Sequence, residues 1–237
     1  MAEPGWRLLI SCEHGGNLVP EGWQRLFAGA EAVLASHRGY DPGAAELARR
    51  LAERLRAPLY VAEVTRLLVE LNRSPGHPAL FSEFSRSLGE KERRELLAHY
   101  YRPFREAVTA RLDRMMADHG RVCHLSVHSF TPELKAEVRN ADIGLLYDSR
   151  LLLEQRFCRD WQRTLARFGP GWRVRRNYPY RGAADGFVTF LRRRYPAASY
   201  LGLELEVNQK WPLQGGEPWQ RLQEQLGESL AVVLEGR

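Results

Sequence analysis

Two histidines, several carboxylates and a group of amide and arginine residues fall where their types could carry out hydrolysis. Glu13-His14-Gly15-Gly16-Asn17 directly follows the apolar run RLLISC, and His128-Ser129 directly follows the run VCHLSV. Neutral imidazole is a natural metal ligand, and catalytic zinc takes three protein ligands, leaving a fourth position for water. His14 and His128 supply two of the three. Spacing leaves Asp41, Asn17 and Glu13 open as the third, and Asp41 is taken forward. Its ordinary alternative is a helix N-cap, because residues 37–43 (HRGYDPG) stand just ahead of a helical pattern. Glu13 could equally orient a histidine.

Glu206, at the end of the last apolar run, is the candidate general base or acid. It would take a proton from activated water and pass it to the leaving amine. Glu204 shares its strand face, and Glu206 is preferred because it lies nearer the loop. Arg66, Asn72 and Arg73 are candidate substrate handles: a guanidinium fork matches a carboxylate, and an amide fixes an acyl oxygen. Asn177 and Tyr180 belong to a turn-rich loop, residues 177–182 (NYPYRG), able to close over a substrate. An ordinary connection with a packed tyrosine is an equal reading of that loop. His37, His77, His99, His119 and His124 are taken as background.

These residues need a scaffold that gathers them. Short apolar runs at residues 7–12, 59–62, 67–71, 122–127, 143–147 and 200–205 read as strands. Helical periodicity marks residues 44–56, 90–119, 151–168, 184–195 and 217–234. Ser87 and Glu90 fit a capping box at the start of the longest helix, and Gly120 suits its end. Strands alternating with helices imply an α/β protein: one three-layer α/β/α domain over residues 1–237 with a mostly parallel central sheet. In such sheets ligands bind beyond the carboxyl ends of the strands. His14, Asn72, His128 and Glu206 all follow or end such runs.

The 237 residues carry 35 Lys+Arg against 29 Asp+Glu, a net charge of +6, and 44% are hydrophobic. The length allows a substantial core, and the composition excludes a disordered or fibrous chain. The cations are spread thinly and nearly all are arginine, with no aromatic-basic stripe, so no nucleic-acid partner is expected. No apolar run approaches the roughly 18 residues of a membrane helix, and the start lacks the pattern of a secretory leader. A cytoplasmic protein with no membrane partner is expected. Cys12, Cys123 and Cys158 lack metal or disulfide spacing and read as small buried hydrophobes. No GxGxxG, Walker loop or GxSxG elbow is present, which argues against nucleotide binding and serine hydrolysis. The oligomeric state is not legible.

At these residues the chain resembles the N-formylglutamate amidohydrolase family. The matching pieces are SCEHGGNLVP (residues 11–20), GYDPGA (39–44), RLLVELNRSPGHP (66–78), VHSFTP (127–132), NYPYRG (177–182) and LEVNQ (205–209). They run in order along most of the chain. The resemblance implies a phosphorylase/hydrolase-like fold of the zinc exopeptidase and aspartoacylase kind, with a metal at the strand ends. It also implies Zn2+-assisted hydrolysis of the amide in a small-molecule N-acyl amino acid such as N-formylglutamate. His14 and His128 then match metal histidines, Glu206 the catalytic carboxylate, and Asn72-Arg73 a substrate-contacting pair. Zinc exopeptidases of this kind use HxxE, whereas here the fourth position is Asn17. Glu70 stands where Asp is usual. The alternative is a catalytically inactive carboxylate-binding module of the same fold.

Overall fold

A computed structural model describes residues 5–235. Strand β1 (Arg7–Cys12) is followed by a 3-10 turn (Gln24–Phe27), α1 (Glu31–Leu34), α2 (Ala44–Leu55) and β2 (Leu59–Val61). Then come α3 (Glu90–Leu96), a wide π turn (Leu97–Tyr101), α4 (Arg102–His119), β3 (Val122–Phe130) and the hairpin β4 (Glu133–Leu134)/β5 (Glu137–Val138). The rest is β6 (Ile143–Leu146), α5 (Leu152–Phe168), β7 (Val174–Arg176), α6 (Phe187–Arg192), β8 (Tyr200–Asn208), α7 (Lys210–Gln214) and α8 (Gly216–Glu235).

Six strands form one sheet in the order β2-β1-β3-β8-β6-β7. The first four are mutually parallel, β6 runs against β8, and β7 runs parallel to β6. The carboxyl ends of β1, β3 and β8 therefore meet at one edge, with His128 directly opposite Glu206 in the register.

The twofold alternation of strand side chains separates two very different faces. Ile10, Cys12, Leu125, Val127, Leu203 and Leu205 point to the face packed with Leu47, Leu51, Trp161 and Leu226 of α2, α5 and α8. Each fully buried Leu or Phe there contributes about 1.5–3 kcal/mol. The opposite face is apolar only at its base, where Leu9, Val122 and Tyr200 meet Leu112 of α4 and Phe187 and Leu191 of α6. Further along the same rows stand Ser11, His124, Ser126, His128, Glu204 and Glu206. A sheet interior that turns polar toward the strand ends is the scaffold of the site. The three cysteines are buried free thiols, as expected. Among the described residues no helix is long and apolar enough to cross a membrane.

Three local expectations are corrected. Residues 67–71 are not a strand but a series of turns held by Leu68 N–H to the Thr65 carbonyl (3.1 Å) and Glu70 N–H to the Leu80 carbonyl (2.9 Å). Their apolar character reflects burial: Leu67, Leu68, Val69 and Leu71 pack with Phe27, Leu96 and Tyr101 in a second cluster. The helical stretch from Glu90 is capped not by Ser87 but at Gly89, whose N–H donates to the Glu92 carboxylate (3.1 Å). It widens into a π turn just before Pro103, the residue that cannot donate to the preceding turn. Finally, the helix expected over residues 184–195 spans only Phe187–Arg192: Asn72 Oδ1 accepts the Phe187 N–H (2.7 Å) and caps its start, and its end tightens into a turn with the Arg194 N–H on the Leu191 carbonyl (2.9 Å).

Candidate active site

His14 leaves the end of β1, and His128 lies near the end of β3 on the polar face. Asp41 arrives from the loop before α2, held by its own N–H on the His14 carbonyl (2.9 Å). Gly43, at φ +80°, turns the chain from that loop into the helix, a conformation in which a side chain would be strained. The end of β8 locks the same loop. Gln209 Nε2 donates to Ser129 Oγ (3.1 Å), and the Ser129 hydroxyl donates to the Pro42 carbonyl (2.8 Å).

The result is a compact trio. Asp41 Oδ2 lies 3.2 Å from His14 Nδ1 and 3.0 Å from His128 Nδ1. One donor atom from each of the three residues lies within 4.8 Å of the others. All three are buried, at 2%, 4% and 3% exposure for His14, Asp41 and His128. The outward nitrogens are occupied too: His14 Nε2 bonds Glu70 Oε1, and His128 Nε2 meets Ser126 Oγ (2.8 Å) and Glu13 Oε2 (3.3 Å). Two imidazoles facing each other through Nδ1 across a carboxylate, each backed by a second carboxylate, form a donor set that fits a divalent cation.

The electrostatics match. Burial opposes the charge on Asp41, but His14, His128 and Arg66 hold its carboxyl well below the usual range. The hydrogen bonds and charges of Asp41 and Glu13 likewise raise His128 well above the ordinary imidazole value, against burial. A cation at this position would displace the Nδ1 proton.

Beside the trio is a cavity of about 210 Å³, lined by Arg66, Asn72, Arg73, Tyr180, Arg181, Asp185, Glu204 and Glu206 as well. Glu206 Oε2 is buried with no hydrogen-bond partner among the described residues. Burial pushes this carboxyl up to about 8, with Asp41 and Glu204 adding to the effect. Gly144 on β6 makes room for it: a Cβ there would lie 3.1 Å from the Glu206 Cβ and 2.0 Å from the Tyr178 carbonyl oxygen. A larger cleft, about 860 Å³ around Trp6 and Arg54, lies at the other end of the strands and holds no such cluster.

The other predicted residues divide into three groups. Asn72 and Arg73 line the cavity, on a segment pinned from α4. Arg105 donates to the Leu71 carbonyl (2.8 Å), and the Tyr101 hydroxyl donates to the Arg73 carbonyl (2.7 Å). Arg73 Nη1 itself donates to the Asp185 carbonyl (2.7 Å). Tyr180 lines the mouth, 45% exposed, with its hydroxyl accepting from Arg139 Nη1 (3.1 Å). Arg66 also faces the cavity, yet its guanidinium is committed to Asp41 Oδ1 (3.0 Å) and Glu70 Oε2 (2.7 Å). It holds a carboxylate of the trio and the partner of His14 together.

Asn177 does not line the cavity. Its Oδ1 accepts the N–H groups of Tyr147 (3.0 Å) and Gly182 (3.1 Å), which fixes the loop. Of the three open choices for a third ligand, the structure brings Asp41 to the histidines. Asn17 bonds the Leu34 carbonyl (3.0 Å), and Glu13 lies beneath His128, fully buried. The sequence alone assigned no site role to Glu70, Asp185 or Arg181. It gave no role to Ser126 and set His124 aside as background, although polar residues at every second position of β3 were a readable signal.

Residues 6–211 match the family model of N-formylglutamate amidohydrolase. The chain belongs to that family. No curated protein sequence matches it. A gene product of Agrobacterium tumefaciens is 28% identical with a TM-score of 0.79, over 98% of this chain and 93% of that one. An N-formylglutamate amidohydrolase from Ralstonia eutropha is 20% identical with a TM-score of 0.72, over 97% of this chain and 93% of that one. The second likeness bears on the fold: the three-layer α/β/α arrangement is shared. For this member of the N-formylglutamate amidohydrolase family, the trio and its cavity lie at the strand edge where an α/β sheet binds ligands.

Proposed function

We propose that the protein is a metal-dependent amidohydrolase that cleaves the amide of an N-acyl amino acid, N-formyl-L-glutamate being the first substrate to try. The observation that carries this reading is the convergence of His14, Asp41 and His128 beside a cavity into which an unpartnered carboxylate, Glu206, projects. Family membership adds the reaction class.

A divalent cation, with zinc preferred by the His/Asp donor set, would supply Lewis-acid polarisation of the acyl oxygen and lower the pKa of water. The chain's own groups do the rest. Glu206 accepts the proton of the attacking water at Oε2 and delivers it to the leaving nitrogen. Arg73, and Arg181 at the cavity rim, bind substrate carboxylate by charge-assisted hydrogen bonds. The Asn72 amide orients the acyl group. Arg66 keeps Asp41 and Glu70 in place rather than holding substrate. Tyr180 and Arg139 close the mouth.

Purified protein should therefore release formate and glutamate from N-formyl-L-glutamate, or the corresponding carboxylate and free amino acid from a related N-acyl amino acid. A chelator should abolish turnover, and added Zn2+ should restore it. Binding of such compounds with no hydrolysis at any metal loading would favour the inactive carboxylate-binding module instead.

A further inference from the structure

Beneath the cavity a chain of buried polar groups runs from the base of the sheet to His128. The Tyr200 hydroxyl lies 2.9 Å from His124 Nδ1, and His124 Nε2 lies 2.8 Å from Ser11 Oγ. The Ser11 hydroxyl is 2.7 Å from Glu13 Oε1, and the Ser126 hydroxyl is 2.5 Å from Glu13 Oε2. Ser126 Oγ is also 2.8 Å from His128 Nε2. Ser11, Glu13, His124 and Ser126 are fully buried, and none of them touches the cavity. Nothing in the proposed reaction uses them.

The protons in this chain have one consistent arrangement. An ionised carboxylate accepts and never donates, so both serine hydroxyls must spend their single proton on Glu13. Each serine oxygen is then left only as an acceptor toward its histidine. His124 must donate through Nε2, leaving Nδ1 to accept from Tyr200. His128 must likewise donate through Nε2, to Ser126 Oγ and Glu13. Reversing either serine would set two acceptor oxygens against each other at 2.5 or 2.7 Å in a dry interior. Glu13 meets the two serine hydroxyls and His128 Nε2 (3.3 Å), three groups that can all donate, so it stands as the ionised acceptor. Burial lowers His124 to about 4, so that ring is neutral.

We infer that Glu13 is the positioning residue of the metal site: through Ser126 it fixes the proton of His128 on Nε2, so that Nδ1 is the nitrogen presented to Asp41 and His14. This rests on the metal reading above, and it assigns Glu13 to the support of His128 rather than to the ligand set. Ser11, His124 and Tyr200 hold the far side of Glu13, so the orientation of one ligand is set by groups on three strands. A glutamine at position 13 brings donors where the chain needs only an acceptor. Its amide nitrogen must face one serine, reverse that hydroxyl and take the Nε2 proton from the attached histidine, leaving Nδ1 as its protonated nitrogen.

The test is nitrogen-15 NMR of histidine-labelled protein, read with a chelator-competition measurement of Zn2+ affinity. In the wild type, His124 and His128 should both carry a proton on Nε2, and on Zn2+ loading His128 Nδ1 should have none. Glu13→Gln should weaken Zn2+ binding about 10–100-fold and switch the tautomer of one of the two histidines. Should that variant not fold, Ser126→Ala is expected to weaken Zn2+ binding in the same direction. A wild-type His128 protonated on Nδ1 alone, or a Glu13→Gln protein with unchanged tautomers and affinity within twofold, would overturn the inference. The Nε2 protons are expected without metal as well. Failure to take up Zn2+ would thus contradict the metal reading, while the tautomers would still decide the proton chain.

Discussion

Glu206→Gln is expected to lower kcat about 10²–10⁴-fold, the usual contribution of a positioned proton-transfer group, while metal content stays at the wild-type level. The substitution keeps the shape of the side chain and removes only its ability to take a proton. KM should change little, because the proposed substrate handles are Arg73 and Arg181 and not Glu206. The variant should also melt at a higher temperature than the wild type. In the folded protein Glu206 Oε2 is buried with no partner, and burial raises its carboxyl to about 8. A carboxyl raised in this way costs folding energy at neutral pH, a cost that disappears as the pH falls below its unfolded value, and a neutral amide does not carry it. Loss of turnover together with gain of stability is a signature that a structural ion-pair residue would not give. If Glu206→Gln retained more than a tenth of wild-type kcat, Glu206 would not be the proton-transfer group, and Glu204, which shares its face and the cavity, would be the next to test.

His128→Ala should cost more, because it acts on metal and fold together. Two donors remain, Asp41 and His14, and retained metal should fall below about a tenth of the wild-type level. Loss of the cation's contribution, several kcal/mol, corresponds to about a thousandfold or more in turnover. The same change strips Asp41 and Glu13 of a partner at 3.0 Å and 3.3 Å. Breaking a buried ionic contact by deleting one side typically costs about 3–5 kcal/mol, so the melting temperature should drop sharply. His128→Gln, which keeps a hydrogen-bonding side chain there, separates the two effects: it should recover part of the stability and none of the metal. Turnover and metal content both unchanged in His128→Ala would contradict the proposed role.

Much of this site could be read along the chain because strand ends are local features. The runs before His14 and His128 and the one ending at Glu206 are short, apolar and bounded by turn residues, and all three are parallel neighbours in the sheet. Asp41 was legible only as one choice among three, since what selects it is a loop closed by contacts from Ser129 and Gln209, far apart in sequence. The segment ahead of Asn72 was misread because continuous apolar character signals burial, and burial alone does not distinguish a strand from a buried loop. Arg66 reads as a substrate handle by residue type, yet Glu70, four residues on, and Asp41 already occupy its guanidinium. Asn177 is a similar case, with an amide turned inward to hold its own loop. Side-chain commitments of this kind depend on tertiary distances, and no spacing rule contains them.

Everything proposed for this site depends on a catalytic divalent cation held by His14, Asp41 and His128. Its presence is tested most directly by elemental mass spectrometry of wild-type protein purified without added metal, alongside Asp41→Asn. About one zinc per wild-type chain and a marked deficit in the variant are expected. No metal in the wild type, and none taken up on titration with Zn2+ or another divalent ion, would contradict the proposal.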